Sequence, residues 1–197
     1  MIAIIDYEAG NLASVSHALE RLGADFKVTN QAEELDAADG IIFPGVGHAK
    51  AAMDALQSTG LDRWLKETSK PVLGICLGMQ LLFDASEEGP ADGLGIIPGT
   101  LTRFDAGLDK VPHMGWNTFS DLNDHPFLKG ITPADHFYYV HSYAAPVTDY
   151  TIGACDYHGA FSAIVARDNF VGTQFHPEKS GKNGEKLLSN FLDIVRG

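Results

Sequence analysis

The chain has 197 residues, and its 26 acidic and 14 basic side chains give a formal net charge of −12. Phosphate backbones repel such a surface, so nucleic-acid binding is not expected. No apolar run approaches the roughly 20 residues that span a bilayer, and the N-terminal MIAIIDY lacks a basic leader and a cleavage site. We therefore expect a cytoplasmic protein with no membrane role, folded as a single domain over residues 1–197.

The first half of the sequence alternates predicted strands and helices. Apolar runs predict four strands, at 2–5, 26–29, 40–43 and 71–76. Apolar residues at helical spacing predict four helices, at 12–22, 49–56, 61–66 and 77–86. Asn11 is expected to cap the first of them. This alternation is typical of a parallel sheet that is covered by helices on both faces.

The pattern changes after the acidic stretch at 85–93. Short strands separated by turns are predicted from there on, within 93–104, 137–143, 151–157, 160–168 and 170–176. A closing helix is predicted from about 183 to 195. We therefore predict an α/β fold with an open mixed sheet, mostly parallel, to which the second half adds antiparallel strands.

Cys76 lies between two glycines in GICLG, at the end of the predicted strand 71–76. This is the G-x-S-x-G pattern of a nucleophile elbow, with cysteine in place of serine. Gly74 and Gly78 leave room for the crowded turn, and a helix that begins after a cysteine favours the reactive thiolate. The simpler interpretation is a buried filler, because free cysteines usually pack as small hydrophobic residues.

A cysteine nucleophile needs a base, and the base needs an acceptor that orients it. The segment FHPEKS at 175–180 offers His176 as the base and Glu178 as the acceptor, joined by Pro177, which restricts the backbone between them. The separation from Cys76 is no obstacle, because such triads are defined by geometry. On its own, His176 is as easily interpreted as a surface histidine.

Acyl transfer also needs backbone N–H donors for the oxyanion. We expect one donor at Leu77, which follows the cysteine, and another at Val46 or Gly47 in the segment PGVG at 44–47. That segment follows the third predicted strand, at the edge where open α/β sheets bind ligands. The alternative is that PGVG is only a turn.

Taken together, PGVG, GICLGMQ and FHPEKS resemble the triad-type, class I glutamine amidotransferases. The stretches IDYEAGNL at 5–12, KVPHMGWN at 110–117 and YYVHSY at 138–143 are similar to those of the glutaminase subunits of imidazole glycerol phosphate synthases. The resemblance implies a flavodoxin-like fold and a Cys76, His176, Glu178 triad that hydrolyses glutamine without cofactor or metal. It also implies a heterodimer in which a (β/α)₈-barrel cyclase subunit receives the ammonia for histidine biosynthesis.

The resemblance implies further site residues. Those for glutamine binding are Gln80, Glu88, Ser142 and Tyr143, and those for the interface with the cyclase are Asn11, Trp116, Tyr138 and Lys179. Glu88 is otherwise a solvated loop residue, Tyr138 a core residue and Lys179 a solvated charge. The sequence departs from the family at Glu8, where glycine is common.

Two other functions are compatible with these residues. One is a stand-alone cysteine hydrolase or peptidase on the same scaffold, and the other is a binding module with a disabled site. The motifs GNL and HMGWN favour the glutaminase, because a self-sufficient hydrolase needs no ammonia-receiving partner. We expect Cys155 to be a core residue, and His141 to be either a hydrogen-bonded structural residue or a partner contact.

Overall fold

The computed structural model describes residues 1–7, 11–89, 91–107 and 110–197. Within these ranges the chain forms, in order, β1 (Ile2–Ile5), α1 (Leu12–Arg21), β2 (Phe26–Thr29), α2 (Ala32–Ala37), β3 (Gly40–Gly45), α3 (Ala49–Thr59), α4 (Leu61–Glu67), β4 (Val72–Cys76), α5 (Leu77–Gln80), β5 (Phe83–Ser86), β6 (Ala91–Asp92), β7 (Ile97–Arg103), β8 (His113–Asn117), β9 (Asp121–Leu122), β10 (Phe137–His141), β11 (Tyr143–Ala144), β12 (Thr151–Asp156), β13 (Ala160–Arg167), β14 (Phe170–Thr173) and α6 (Gly181–Arg196).

Eight strands form one large sheet in the order β2-β1-β3-β4-β14-β13-β12-β9. The five strands from β2 to β14 pair in parallel, and β13, β12 and β9 continue the sheet with antiparallel pairs. The predicted open mixed sheet, with antiparallel strands from the second half, is thus confirmed. Because β14 pairs with β4, the two halves of the chain meet in the middle of the sheet.

The large sheet buries both faces, since successive side chains of a strand point to opposite sides. In β3, Ile41 and Phe43 pack with α3 and α4 on one face, while Ile42 packs with α1 and α6 on the other. The closing helix α6 buries Leu187, Leu188 and Phe191 in that second layer. Helices therefore cover both faces of the sheet, as the sequence predicts.

Two smaller sheets lie beside the large one. The strands β8 and β10 form an antiparallel pair, and β11, β7, β5 and β6 form a four-stranded sheet. The pair is joined to the large sheet through the N–H of His176, which donates to the carbonyl of Tyr138 at 2.9 Å. The β8–β10 pair thereby lies next to the residues that follow β14.

The predicted helix over 77–86 is wrong in its second half. The helix α5 ends at Gln80, and Phe83–Ser86 is strand β5. Phe83 pairs with Ile97 of β7, so a long-range ladder overrides the helical spacing of the apolar residues. The short helix α2 was not predicted. No helix in the described ranges is both long and apolar enough to cross a membrane.

Candidate active site

Cys76 and His176 lie at the same edge of the large sheet because they follow neighbouring parallel strands. Cys76 is the last residue of β4, and His176 comes shortly after the end of β14. On the other side of β4, Gly45 at the end of β3 is the register partner of Cys76. The carboxyl edge of the sheet thus brings together the cysteine, the histidine and the PGVG segment, where open α/β sheets bind ligands.

The backbone at Cys76 has the geometry of a nucleophile elbow. Its φ is 54° and its ψ is −109°, a conformation that costs energy for a residue with a side chain. A Cβ on Gly74 would lie 2.9 Å from the backbone nitrogen of Met79, and one on Gly78 would collide with the carbonyl oxygen of Phe43. Both flanking glycines are therefore required by close backbone packing, as expected.

His176 and Glu178 form a buried pair, with 2.7 Å between Nδ1 and Oε1. Because a carboxylate oxygen accepts, Nδ1 carries the hydrogen. The other ring nitrogen, Nε2, is buried and makes no conventional hydrogen bond to any residue that the structure describes. Burial by itself lowers the pKa of His176, but interaction with the Cys76 sulfur and the hydrogen bond to Glu178 outweigh it and raise the pKa to about 10.

Asn11 is bound to this pair rather than to its own helix. Its Nδ2 donates to Oε1 of Glu178 at 2.8 Å, and its side chain makes no capping hydrogen bond to α1. Asn11 does occupy the N-cap position of α1, as predicted, but the expectation that its side chain caps the helix is wrong. Glu8, where the sequence departs from the family pattern, lies outside the described residues.

A cavity of about 290 Å³ opens between Cys76 and His176. The candidate oxyanion and substrate residues all line it, namely Val46, Gly47, Leu77, Gln80, Glu88, Ser142 and Tyr143. Gly47 has a φ of 107°, which a residue with a side chain rarely adopts. Glu178 does not line the cavity and lies behind His176. The structure thus gathers the predicted residues around a space of a size suited to one amino acid.

Two of these lining residues already have protein partners. Gln80 donates from Nε2 to the carbonyl of Tyr143 at 3.1 Å and to Oε1 of Gln174 at 3.0 Å, so only its Oε1 is left for a ligand. One carboxylate oxygen of Glu88 accepts from the N–H of Ala49 at 2.9 Å, at the start of α3. Glu88 is therefore a fixed, half-buried group and not a solvated loop charge.

His141 is a hydrogen-bonded structural residue. Its Nδ1 lies 2.8 Å from the carbonyl of Tyr143, and its Nε2 lies 3.0 Å from Nδ1 of His113. Since a carbonyl only accepts, Nδ1 of His141 carries the hydrogen and Nε2 accepts one from His113. Burial is the main reason that the pKa of His141 is lowered to about 3, so the ring is neutral.

The candidate interface residues form two groups: Trp116 with Tyr138, and Asn11 with Lys179. Trp116 and Tyr138 are register partners in the β8–β10 pair, and their rings meet edge to face at 5.9 Å. Trp116 is 56% exposed and its neighbour on the same strand, Met114, is 62% exposed. Lys179, also exposed, follows Glu178, to which Asn11 is bound.

Sequence reasoning missed Gln174, which is fully buried beside the cysteine. Its Nε2 lies 3.9 Å from the Cys76 sulfur, and it accepts from Gln80. A glutamine within the strand-like run FVGTQF, two residues before His176, was the available signal. Cys155, by contrast, lies in the core on β12, as expected.

Comparison with known proteins identifies similar sequences along the whole chain. A family model described as glutamine amidotransferase class-I matches residues 3–195. The imidazole glycerol phosphate synthase subunit HisH of Bacteroides fragilis (strain YCH46) is 51% identical over 98% of this chain and 99% of its own length. The subunit of the same name from Colwellia psychrerythraea is 42% identical, covering 97% of this chain and 92% of its own.

Solved structures resemble the fold at low sequence identity. One described as a glutamine amidotransferase superimposes with a TM-score of 0.75 at 17% identity and covers all of both chains. A glutamine amidotransferase from Thermotoga maritima gives a TM-score of 0.64 at 15% identity, covering 99% of this chain and 83% of its own. At such identities the likeness establishes the fold class and not the roles of individual residues.

Proposed function

Because the chain belongs to the class-I glutamine amidotransferase family, and is therefore a glutamine amidotransferase, we propose that it is the glutaminase subunit of an imidazole glycerol phosphate synthase. In this proposal it hydrolyses glutamine to glutamate and ammonia and delivers the ammonia to a cyclase subunit. The observation that carries the proposal is that His176, paired with the buried Glu178 behind it, lines the same cavity as Cys76.

In the proposed mechanism, Cys76 attacks the side-chain amide carbon of glutamine. His176 takes the thiol proton at Nε2 and gives it to the leaving nitrogen, so that ammonia departs and a thioester remains. A water molecule, deprotonated by the same nitrogen, then displaces the sulfur and releases glutamate. The raised pKa of His176 supports this role, since an imidazolium beside the sulfur stabilises the attacking thiolate.

Glu178 keeps His176 in the productive tautomer. Its carboxylate accepts the Nδ1 hydrogen, which leaves Nε2 on the side of the cavity. Asn11 donates to the same carboxylate oxygen and so restrains the pair from outside the cavity. The carboxylate also stabilises the imidazolium that forms when His176 accepts a proton.

The remaining cavity residues are proposed to bind the substrate. The N–H groups of Leu77 and of Val46 or Gly47 stabilise the tetrahedral oxyanion. Glu88 pairs with the α-ammonium group of glutamine, and Ser142 and Tyr143 bind its α-carboxylate. Gln80 accepts from the substrate through Oε1, because both hydrogens of its amide nitrogen are already bound.

The proposed partner is a cyclase subunit with a (β/α)₈ barrel, bound as a heterodimer. Exposed Trp116 and Met114 offer the aromatic and methionine contacts that interfaces favour, next to Tyr138. Asn11 and Lys179 complete this face, because Asn11 is bound to Glu178, Lys179 follows Glu178, and the next residue, Ser180, accepts from the N–H of Tyr138 at 3.0 Å. Ammonia released at the cavity then enters the docked barrel without reaching bulk water, where it would be protonated.

The test combines copurification with a glutaminase assay. The chain is expected to copurify with the cyclase subunit encoded in the same organism, and its glutamine hydrolysis should rise when that subunit and its nucleotide substrate are added. Partner-independent cleavage of peptides or esters would instead indicate a stand-alone hydrolase. Absence of turnover in the complete mixture would indicate a binding module.

A further inference from the structure

Gln174 has a polar side chain that is fully buried, and burying a polar group destabilises a fold unless the group is hydrogen-bonded. It is fully buried, two residues before His176, and its amide lies between Gln80 and the sulfur of Cys76. A buried amide without hydrogen-bond partners destabilises a fold, so buried amides are normally hydrogen-bonded. The proposed mechanism assigns it no role.

The hydrogen bonds around Gln174 fix which end of its amide faces the sulfur. The carbonyl oxygen of Tyr143 can only accept, so the Gln80 atom beside it, at 3.1 Å, is the amide nitrogen. That same nitrogen points its second hydrogen at Gln174, at 3.0 Å, so the Gln174 atom there is the oxygen. The amide nitrogen of Gln174 is therefore the end that lies 3.9 Å from the Cys76 sulfur.

The sulfur has a different kind of neighbour in Val140. The carbonyl oxygen of Val140 lies 4.0 Å from it and can receive a hydrogen only from the neutral thiol. Gln174, as a donor, interacts more strongly with the thiolate, because hydrogen bonds to a charged acceptor are stronger than those between neutral groups. The two contacts thus favour opposite protonation states of Cys76.

We propose that Gln174 is a positioning residue for the nucleophile. Its side-chain amide donates a hydrogen to the thiolate of Cys76 and holds the sulfur in place at the end of β4. Gln80 and the Tyr143 carbonyl keep the amide in this orientation. Gln174 transfers no proton. This inference rests on the proposed role of Cys76 as nucleophile.

The substitution Gln174→Glu tests the donor directly. It keeps an oxygen toward Gln80 and replaces the N–H toward the sulfur by a second carboxylate oxygen, which repels a thiolate. The rate at which iodoacetamide alkylates Cys76 is measured across pH by mass spectrometry of the peptide that contains it. We expect the midpoint to move to higher pH and the rate at pH 7 to fall about tenfold or more.

A second variant and a matched control separate this role from a structural one. Gln174→Met removes the donor without adding charge, and we expect a smaller shift in the same direction. Thr173→Val removes a buried hydroxyl on the neighbouring residue, which bonds to the carbonyl of Phe175 at 3.1 Å, and we expect an unchanged alkylation profile. Circular dichroism and thermal melting establish that each variant is folded.

Two outcomes would overturn the inference: a folded Gln174→Glu or Gln174→Met variant with the wild-type profile, or an equal shift in Thr173→Val. Alkylation needs neither glutamine nor the partner. If the wild-type chain hydrolysed no glutamine with the cyclase, the proposed function would be contradicted. The alkylation of Cys76 would still decide the role of Gln174.

Discussion

The two cysteines of the chain are both buried, yet the backbone at each cysteine and the groups beside each sulfur differ. Cys76 ends strand β4 on a strained turn, with His176 and Gln174 beside its sulfur. Cys155 lies within strand β12, where burial raises the pKa of its thiol to about 12. At Cys155 burial is the largest influence and disfavours the thiolate, whereas at Cys76 a histidine and an amide donor lie next to the sulfur.

The largest expected effect comes from exchanging the sulfur at each position. Cys76→Ser is expected to lower glutamine hydrolysis by at least about a thousandfold, because the hydroxyl is a far weaker nucleophile with the same base. Cys155→Ser, the matched control, is expected to leave the rate within about twofold and only to lower stability. The measurement is glutamate release by the complex with the cyclase.

Added ammonium salts extend this comparison. The Cys76→Ser complex should still form product from ammonium, since in the proposed function the cyclase needs ammonia and not the thiol. Equal losses in both cysteine variants would mean that the distinction between the two sites is wrong.

Removing the charge behind His176 should make Cys76 behave more like Cys155. Glu178→Gln is close in shape but withdraws the carboxylate that helps to raise the pKa of His176, so the imidazolium and the thiolate both become less favourable. We expect glutamine hydrolysis to fall about a hundredfold or more. The rate at which iodoacetamide alkylates Cys76 at pH 7 should also fall, and a wild-type rate would contradict the role of Glu178.

The glycines two residues before each cysteine offer a matched test of the turn. A Cβ at Gly74 meets the backbone nitrogen of Met79 at 2.9 Å, whereas one at Gly153 meets the flexible end of Leu122 at 3.1 Å. We expect Gly74→Ala to lower the free energy of unfolding by about 2–3 kcal/mol and Gly153→Ala by less than about 1 kcal/mol. Urea denaturation measures both, and a cost at Gly74 as small as that expected at Gly153 would show that the turn tolerates a side chain.

Features that depend on residues close together in the sequence could be predicted, and contacts between residues far apart in the sequence could not. Three features depend on local sequence pattern and were predicted: the alternation of strands and helices up to β4, the elbow at Cys76, and the pairing of His176 with Glu178. Gln174 escaped notice because its partners are 94 and 98 residues away. The side chain of Asn11 was expected to cap α1 because the local sequence favours a cap. Nothing in that local sequence indicates its actual partner, Glu178, which is 167 residues away.

The smallest expected effect concerns two histidines that face the same cavity with opposite pKa shifts. Burial lowers the pKa of His141 to about 3, whereas the neighbours of His176 raise its pKa to about 10. An unfolded histidine has a pKa of about 6.5, so below that pH unfolding lets His141 take up a proton that the folded state excludes. His141 thus destabilises the fold as the pH falls from about 6.5 toward 3.

The shift at His176 has the opposite sign and acts in another range. Its stabilising contribution is complete below about pH 6.5 and is lost as the pH rises toward 10, so it changes little between pH 6 and pH 5. Over that unit His141 is therefore expected to cost the wild type about 1 kcal/mol. His141→Asn keeps a donor for the Tyr143 carbonyl and removes the titration. Urea denaturation at pH 6 and pH 5 gives the free energy of unfolding of both proteins. From pH 6 to pH 5 the wild type should lose about 1 kcal/mol more than the variant, because the contributions of carboxylates common to both cancel. Equal losses would contradict the lowered pKa of His141.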